Sequence, residues 1–392
     1  MNYKFPVIHN ISQVLPLIEG KTEFIVCEKD GDYTVINYVV QMADTFPPVT
    51  DESHAILREL RGLIFKTSTG EVLQRRLHKF FNVNEKDETQ VSKIDFSEPH
   101  VILEKLDGSM ITPVWTSDGL RWGTKMGVTQ VALPVEEFVA EHPAYVTFAQ
   151  WALSEGLTLI FEWCSRKQTI VLDYEVDQLV LTAIRVNVTG EYMSHAQMID
   201  ELDGIDIPVV KAYAGTVANM QALIDETRGM LGVEGFVVRF DSGHMIKVKA
   251  EDYCRKHSAK DMIGREKNII ELLVTEKVDD VKAFLDAKDL ARVNEFERKF
   301  WDGVTKVSDL LIAMREHARE HGLDVNRKTY ATEFVQTLDN RVGRFMYKMF
   351  DDTSAPIGMI KQAIAQSCGT QAKIDEARWM FNCNWNAPTL DE

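Results

Sequence analysis

The residues best suited to covalent chemistry are grouped around one lysine. Lys105 follows the apolar run 101–103, and Asp107, Gly108 and Ser109 come before a second apolar run begins. A lysine amine held at the end of a strand can serve as a nucleophile at the mouth of a pocket. Asp-Gly between two apolar runs also predicts a β-hairpin, and alone this stretch fits an ordinary hairpin with an exposed lysine. The two interpretations are compatible, because a tight turn holds a side chain firmly.

Two glutamates belong to predicted strands. Glu162 interrupts the apolar run 157–163, and Glu234 precedes Gly235 near the start of the run 233–240. A buried carboxylate such as Glu162 would need a cationic partner or a metal to offset its lost hydration. The alternative, an edge-strand glutamate that points to water, fits the local sequence equally well.

Several cations accompany these carboxylates. Lys247 and Lys249 alternate along a predicted strand, so they lie on one face, where their repulsion favours an anionic partner between them. Arg61 and Lys79 are further basic residues; arginine can make a planar two-point contact with phosphate and lysine acts as a point charge, but a solvated basic edge is the alternative for both. A solvent-facing strand explains the lysine pair as well. The arginine pair at 75–76 is expected to form a solvated basic edge.

The elements that must position these residues are mainly β-strands. Three β-hairpins are predicted, at 24–40, 111–125 and 233–249. A further strand is predicted over 58–65, and helical spacing of apolar residues covers 131–155.

The last third of the chain has helical periodicity. A long helical segment is predicted over 279–321, with Gly322 as its C-cap. Further helices are predicted over 330–349 and 356–367, with Ser354 as the N-cap of the last.

Composition narrows the class of protein. The chain has 392 residues and a net charge of −16, and its length suggests two or three domains. No apolar run is long enough for a membrane span, and the N-terminus lacks a signal-peptide core. Five scattered cysteines without a CxxC pair support neither a zinc site nor a disulfide framework. The acidity argues against a protein that coats nucleic acid, but not against an enzyme that grips one end with a local basic cluster.

In their order along the chain, these motifs resemble those of the covalent nucleotidyltransferases, which include nucleic-acid ligases and mRNA capping enzymes. Lys105-Leu106-Asp107-Gly108 is similar to the Lys-x-Asp-Gly nucleophile motif of that superfamily. Glu234-Gly235 resembles the fourth motif, and Lys247-Val248-Lys249 resembles the fifth.

The closer resemblance is to the bacteriophage RNA ligase family, the RNA ligase 1 type that repairs tRNA in T-even phages. The matching motifs, in order, are Arg61-Gly62, Lys79-Phe80-Phe81-Asn82, Lys125 and Phe161-Glu162. Segments 278–283 and 327–331 resemble parts of that family beyond the fifth motif, so the similarity covers most of the chain. Leu106 stands where the phage enzyme has an acidic residue, at the variable position of the motif.

The resemblance implies an α+β fold. Residues 1–252 would form an adenylyltransferase (nucleotidyltransferase) domain of ATP-grasp-like antiparallel sheets with helices, and residues 253–392 an all-helical domain that selects RNA or tRNA. The implied activity is that of an ATP-dependent RNA ligase, which joins 5′-phosphate and 3′-hydroxyl ends through a lysine–AMP intermediate and an adenylylated RNA end. The expected substrate is nicked tRNA, with generic single-stranded RNA or DNA that has a 5′-phosphate as the alternatives. The expected protein is a monomer of the cytoplasm, or of the host cytoplasm for a phage protein, without a membrane partner.

Roles for single residues also follow from the resemblance. Lys105 would carry AMP, with Asp107, Lys247 and Lys249 as catalytic partners. Nearby cations would disfavour the charged form of Lys105, because a lysine with a pKa of about 10.4 is otherwise protonated at neutral pH.

The same resemblance predicts the ligands of two cofactors. Hydrated Mg²⁺, or Mn²⁺ in its place, would be held largely through water by Glu162, Glu234 and Asp279. The ATP contacts would come from Arg61, Lys79, Phe81, Lys105, Gly108, Lys125, Glu162, Lys247 and Lys249. For Phe81, plain core packing is the alternative.

Other classes fit less well. DNA ligases and capping enzymes usually continue after the Lys-x-Lys motif into an OB-fold β-barrel, whereas helical periodicity follows here. A non-catalytic RNA-binding module on a ligase fold would be expected to lose Lys105 or Glu234, and both are present. A general ATP-binding structural protein would leave the ordered basic residues unexplained.

Overall fold

The fold has a β-rich part followed by a helical part. The computed structural model describes residues 4–29, 33–42, 44–351 and 356–388. These residues form two compact units, of which the first extends to Cys254 and the second begins at Arg255. Sheets with helices make up the first unit and helices the second, which confirms the expected α+β class. Within the described ranges, no helix combines the length and apolar character that a membrane span requires.

Three four-stranded sheets form the framework of the described part of the first unit. The strands are β1 (Phe24–Lys29), β2 (Tyr33–Tyr38), β3 (Arg61–Lys66), β4 (Val72–Gln74), β5 (Phe81–Asn82), β6 (His100–Lys105), β7 (Ser109–Thr116), β8 (Gly119–Gly123), β9 (Leu157–Cys164), β10 (Gln178–Val186), β11 (Gly235–Phe240) and β12 (Met245–Lys249). Sheet 1 has the order β1-β2-β3-β4, sheet 2 the order β10-β9-β7-β8, and sheet 3 the order β5-β12-β11-β6. All pairs are antiparallel except β5 with β12.

Helices lie before, between and after these strands. Those up to the end of the first unit are α1 (Leu15–Ile18), α2 (Glu52–Glu59), α3 (Leu133–Glu141), α4 (Pro143–Ser154), α5 (His195–Glu201) and α6 (Met220–Arg228). The later ones are α7 (Glu251–Ile263), α8 (Glu266–Val274), α9 (Val278–Lys282), α10 (Ala287–Glu320), α11 (Arg327–Thr329), α12 (Asn340–Met349), α13 (Ile357–Ser367) and α14 (Gln371–Ala377).

The turn at Asp107 and Gly108 does not form a β-hairpin, so the simplest prediction for this stretch is wrong. β6, which ends at Lys105, pairs with β11 in sheet 3, whereas β7 pairs with β8 and β9 in sheet 2. The turn therefore carries the chain from one sheet to the other. A Cβ atom on Gly108 would lie 2.3 Å from the carbonyl oxygen of Trp163, so only glycine allows this close approach. Lys105 consequently lies where two sheets meet.

The three predicted hairpins are confirmed as the pairs β1–β2, β7–β8 and β11–β12. The turn residues 30–32 lie outside the described ranges. The strand predicted over 58–65 begins only at Arg61, because residues 58 and 59 end helix α2. Asp51 caps that helix by accepting a hydrogen bond from the amide of His54, and this cap starts the helix that the apolar pattern alone does not reveal.

The second unit is built around α10. This helix of 34 residues buries Phe296, Phe300 and other apolar residues, and Gly322 follows it with φ of 66°, as predicted for its C-cap. The single helix predicted over 330–349 is wrong. A π-helical turn and a 3₁₀ turn precede α12, which begins anew where the Asp339 side chain accepts from the amide of Arg341. Ser354 lies outside the described residues.

Arg75 and Arg76 do not form a solvated basic edge, because both side chains are buried. Arg75 donates to the carboxylate of Glu59, which Arg185 also contacts with two nitrogens, at 2.7 and 2.8 Å. Burial opposes ionisation of Glu59, but Arg185 and Arg75 outweigh it and lower its pKa to about 2. Arg76 donates to the hydroxyl of Thr112 in sheet 2. These arginines join α2 and the end of sheet 1 to sheet 2.

Candidate active site

Sheet 3 presents rows of side chains on one face. Its other face packs on α6, where Met220 and Leu223 contact Phe236 and Val238. Strand alternation therefore turns the odd-numbered residues of β6, β11 and β12 away from α6. In the paired register, three rows follow one another from the Lys105 end of the sheet: Lys105, Gly235 and Lys249, then Leu103, Val237 and Lys247, then Val101, Arg239 and Met245.

Glu234 holds two lysines of the first row. Its Oε1 atom lies 2.7 Å from Nζ of Lys105 and 3.0 Å from Nζ of Lys249, and its side chain is only 3% exposed. Lys249 thus has the anionic partner that was predicted for this face, and that partner is a protein carboxylate. Because Glu234 is buried, its charge needs these cationic partners to offset the lost hydration.

Glu162 faces this cluster from sheet 2. It lies in β9, between β10 and β7, so the edge-strand alternative is wrong. Burial raises the pKa of Glu162 to about 7; the positive charge of Lys105 opposes this shift and the negative charge of Glu234 adds to it. A carboxyl group with this pKa changes charge near neutral pH, which makes Glu162 a candidate for ligand or metal binding.

A cavity of about 240 Å³ opens beside these groups. Among the residues predicted from the sequence, its lining contains Arg61, Lys105, Gly108, Glu162 and Lys247. The cavity therefore brings the predicted nucleophile together with two of the cations predicted to contact phosphate and with one carboxylate.

The remaining cavity wall is largely apolar. Phe80, Leu103, Met110 and Val237 contribute to it. Apolar walls with a few polar groups at one end are typical of sites that bind a small organic molecule. The Nζ atom of Lys247 lies 4.7 Å from the centre of the Phe80 ring, at the boundary between the two regions. Burial, with the positive charges of Arg61 and Lys105, lowers the pKa of Lys247 well below its ordinary value.

A second cationic group surrounds Tyr38. Lys79 lies with its Nζ atom 3.4 Å from the Tyr38 hydroxyl, and Nζ of Lys125 is 6.0 Å from the centre of the ring. Burial raises the pKa of Tyr38, but Lys79 and Arg61 outweigh this effect and lower it overall. Arg61 therefore acts on this group as well as lining the cavity, and the cluster adds positive charge next to it.

Asp107 anchors a loop and does not point freely into the cavity. Its Oδ2 atom accepts from the amides of Val171 and Leu172, at 2.8 and 2.7 Å, and Oδ1 accepts from the Tyr253 hydroxyl at 2.7 Å. The Asp107 amide donates to the hydroxyl of Tyr174. The carboxylate thus ties the nucleophile turn to the loop between β9 and β10 and to the residues that follow β12.

Two of the predicted site residues, Phe81 and Asp279, have surroundings that need separate description. Phe81 packs in the core of sheet 1 and is 1% exposed, while its neighbour Phe80 lines the cavity. Asp279 belongs to α9 of the second unit, where its side chain is 86% exposed and lies 3.3 Å from Nζ of Lys282. Among the described residues, no cluster of three His, Cys, Asp or Glu side chains could hold a metal.

Residues that sequence reasoning missed are Tyr38, Phe80, Arg239 and Tyr253. For Phe80, the sequence did contain a signal. Adjacent residues of an extended segment point to opposite faces, so only one of Phe80 and Phe81 can face the cavity. The other three have partners far away in the sequence, so no local pattern selects them.

Known protein families match both the first and the second unit of the chain. Residues 59–254 match the family model described as RNA ligase, and residues 260–368 match that of the C-terminal domain of T4 RNA ligase 1. A putative RNA ligase of Thermovibrio ammonificans is 30% identical over 281 residues, which cover 70% of this chain and 71% of that protein. RNA ligase 1 of bacteriophage TS2126 is 26% identical over 250 residues, which cover 60% of each chain.

Among solved structures, an archaeal ATP-dependent RNA ligase shares 15% identity with a TM-score of 0.44, over 76% of this chain and 79% of that one. The family matches span most of the first unit, including the Lys105 cavity, and much of the second. They confirm the resemblance inferred from the motifs. The chain belongs to the RNA ligase family.

Proposed function

We propose that this protein is an ATP-dependent RNA ligase that carries AMP on Lys105. The observation that supports this most directly is the Lys105 amine in the cavity wall, 2.7 Å from the buried carboxylate of Glu234. The family match and the apolar cavity behind the amine are consistent with a nucleotide as the ligand. ATP as the nucleotide is supported by the motif order.

In the first step, the lone pair of the Lys105 amine attacks the α-phosphorus of ATP. The N–P bond forms, the bond to the bridging oxygen of pyrophosphate breaks, and pyrophosphate leaves. An ammonium group has no lone pair, so Lys105 must first lose a proton. Glu234 is in hydrogen-bonding contact with Nζ and can accept that proton.

In the second step, a 5′-phosphate oxygen of RNA attacks the phosphorus of the lysine adduct. The P–N bond breaks, Lys105 recovers its proton, and a 5′-5′ pyrophosphate linkage joins AMP to the RNA. In the third step, a 3′-hydroxyl attacks the 5′-phosphorus of the adenylylated end, AMP leaves, and a phosphodiester remains. The 3′-hydroxyl proton is lost in this step.

The cations of the cavity stabilise charge during these transfers. Lys247 and Arg61 line the cavity, and Lys249 lies in the same row as Lys105. Positive charge fixed in place before the reaction is effective, because it costs no reorganisation when the phosphoryl oxygens gain charge. Lys79 and Lys125, around Tyr38, extend this positive region toward the leaving pyrophosphate.

The carboxylates present fit a hydrated divalent cation. Glu162 and Glu234 interact electrostatically across the site, and carboxylates that contact a cation largely through water suit a metal that keeps most of its waters, as Mg²⁺ does. Such an ion would neutralise phosphate charge while bound. Mn²⁺ accompanies ATP in the solved structure of a Naegleria gruberi RNA ligase variant, which is consistent with a divalent ion here.

The second unit is proposed to select the RNA. Its similarity to the C-terminal domain of T4 RNA ligase 1 supports nicked tRNA as the substrate. Lys328 is an exposed cation in the segment that first suggested this similarity. Lys328→Glu should lower the sealing of a nicked anticodon stem-loop more than that of unstructured single-stranded RNA, while lysine adenylylation is unchanged. Equal loss for both RNAs would contradict selection by this segment.

The decisive experiment is intact-protein mass spectrometry after incubation with ATP and Mg²⁺. The protein should gain one AMP, Lys105→Ala should not, and Lys66→Ala, at an exposed lysine of β3, should behave as the unmodified protein. Protein that is already adenylylated would show in the starting mass and would release AMP as ATP on treatment with pyrophosphate. An adduct of unchanged yield in Lys105→Ala would disprove the assignment of the nucleophile.

A further inference from the structure

Arg239 lies at the end of the cavity that is farthest from Lys105 in the sheet. It belongs to the third row of sheet 3, two rows beyond Gly235, and it lines the cavity. Its side chain is 6% exposed, and its Nη2 atom is buried without a hydrogen-bond partner among the described residues. Buried donors of this kind nearly always have an acceptor in proteins, so a missing acceptor calls for an explanation.

The rows between Lys105 and Arg239 fit the parts of a nucleotide. The α-phosphorus must lie beside Nζ of Lys105, because the N–P bond forms there. The base is at the opposite end of a nucleoside 5′-phosphate, so it points along the sheet toward the third row. Leu103 and Val237 belong to the second row, beside Lys247, and offer apolar contact to one face of the base. Beyond them, Arg239 is placed to meet the edge of the base.

We propose that Arg239 recognises the base of the bound nucleotide by donating a hydrogen bond to a ring nitrogen of the purine. A guanidinium group has only donors, so it can pair with the acceptors N1, N3 or N7 of adenine but not with the 6-amino group. This inference deepens the proposed nucleotide transfer and rests on it. Arg239 would set nucleotide affinity and specificity without taking part in the bond-making steps.

Arg239 also lines a second cleft, where Tyr192 and Asp241 contribute to the wall. Both groups favour the charged form of the guanidinium, whereas burial opposes it. Burial has the larger effect and lowers the pKa of Arg239, and neither group accepts a hydrogen bond from Nη2. If the donors of Arg239 contacted only groups in this second cleft, changes to the purine ring would not alter nucleotide binding. The experiment below separates the two cases.

The test compares ATP with its 1-deaza, 3-deaza and 7-deaza analogues as donors in lysine adenylylation, measured as initial rates over a range of nucleotide concentrations. Each analogue removes one acceptor and keeps the shape of the base. In the unaltered protein, the analogue that lacks the contacted nitrogen should have a KM at least about tenfold higher than that of ATP, with a similar kcat. Loss of a hydrogen bond to a charged group weakens binding by about that factor or more. The other two should resemble ATP.

The variant Arg239→Met keeps an unbranched apolar stem and removes the donors. It should raise the KM for ATP about tenfold and should no longer distinguish the sensitive analogue from ATP, a pattern that a purely structural role would not produce. Arg239→Lys should restore part of the discrimination. Thermal unfolding of each variant shows whether the fold is intact, and the analogue series in the unaltered protein does not depend on any variant.

Three negative outcomes are distinguishable. If ATP and all three analogues form the adduct equally well in the unaltered protein, Arg239 does not contact the base and this inference is wrong, while the proposed ligase chemistry stands. If a folded Arg239→Met variant still distinguishes the sensitive analogue from ATP, another residue contacts the base and this inference is wrong. If no nucleotide forms an adduct, the proposed function itself fails.

Discussion

The Nζ atom of Lys105 lies 2.7 Å from Oε1 of Glu234, and the same oxygen lies 3.0 Å from Nζ of Lys249. One buried carboxylate therefore balances two ammonium groups at the entrance to the nucleotide cavity. In the proposed first step, this ion pair must give way, since the Lys105 amine has to lose its proton before it can form a bond to phosphorus. Glu234 thus holds Lys105 in a defined position, and its carboxylate is the group best placed to accept the proton of the amine.

Removing the charge of Glu234 should stop this first step. Glu234→Gln leaves Lys105 and Lys249 as neighbouring cations without a counterion and removes the proton acceptor. We expect lysine adenylylation to fall by about 100-fold or more, because acid–base groups typically contribute a factor of that size. The same substitution at Glu136, which pairs with Arg121 away from the cavity, serves as the control and should leave the rate unchanged. A Glu234→Gln variant with an undiminished rate would exclude Glu234 from the step.

Glu162 should make the stability of the nucleotide-free protein depend on pH. Its pKa is raised from 4.5 to about 7 in the folded protein, so the folded state binds the proton more tightly than the unfolded chain. Stability should therefore fall as pH rises from 4.5 to 7 and stay level above. Glu162→Gln lacks this effect, so its unfolding free energy relative to the unaltered protein should rise by about 2 kcal/mol between pH 5.5 and pH 8. Chemical denaturation in the presence of EDTA measures this, and a pH-independent difference would contradict it.

Asp107 should act through the loop that it anchors. Asp107→Asn leaves one oxygen for three donors, so we expect a loss of about 1–3 kcal/mol in unfolding free energy. Hydrogen exchange at the amides of Val171 and Leu172 should accelerate strongly. Tyr253→Phe removes only the hydroxyl contact, so those amides should stay protected and stability should fall by about 1 kcal/mol. Unchanged exchange in Asp107→Asn would argue for a direct chemical role instead.

Gly108 should tolerate no side chain. The Cβ atom in Gly108→Ala would meet the Trp163 carbonyl, so the turn must shift and displace Lys105. A displacement of about 1 Å can cost about 100-fold in rate, and we expect adenylylation to fall by that order. Gly358→Ala is the matched control, since its Cβ would meet no atom within 4 Å in helix α13. It should stabilise the protein by about 0.5–1 kcal/mol and leave the rate unchanged. Equal rates for the two variants would show that the turn is adaptable.

The sequence predicted the parts of the site whose signals are local. Lys105 at a strand end, Glu162 in an apolar strand and the hairpin with Lys247 and Lys249 were all recognisable from alternation and turn residues, and the structure brings them together. Their ordered motifs also identified the family. Local patterns suffice here because each functional residue sits at a conspicuous break in an apolar run.

Features that depend on distant partners were not predictable. The turn after Lys105 has the composition of a hairpin, yet β6 pairs with β11 and β7 with β9, in different sheets, and these partners are distant in the sequence. Arg75 looked like a surface residue until Glu59 and Arg185 supplied the charges that make its burial possible. Arg239 and Tyr38 belong to no sequence motif, and only the residues that surround them in the structure drew attention to them.

The nucleophile turn depends on strands that come much later in the sequence, and this affects when the site can form while the chain is being synthesised. Asp107 receives its bond from Tyr253, which follows it by 146 positions, and Lys105 pairs with strands from the same late region. At a translation rate of about 5–20 residues per second, the ribosome needs roughly 7–30 s to supply those partners. During that interval the lysine has no pocket and cannot be charged. A nascent chain therefore gains the capacity to react with nucleotide only after the whole β-rich unit has emerged.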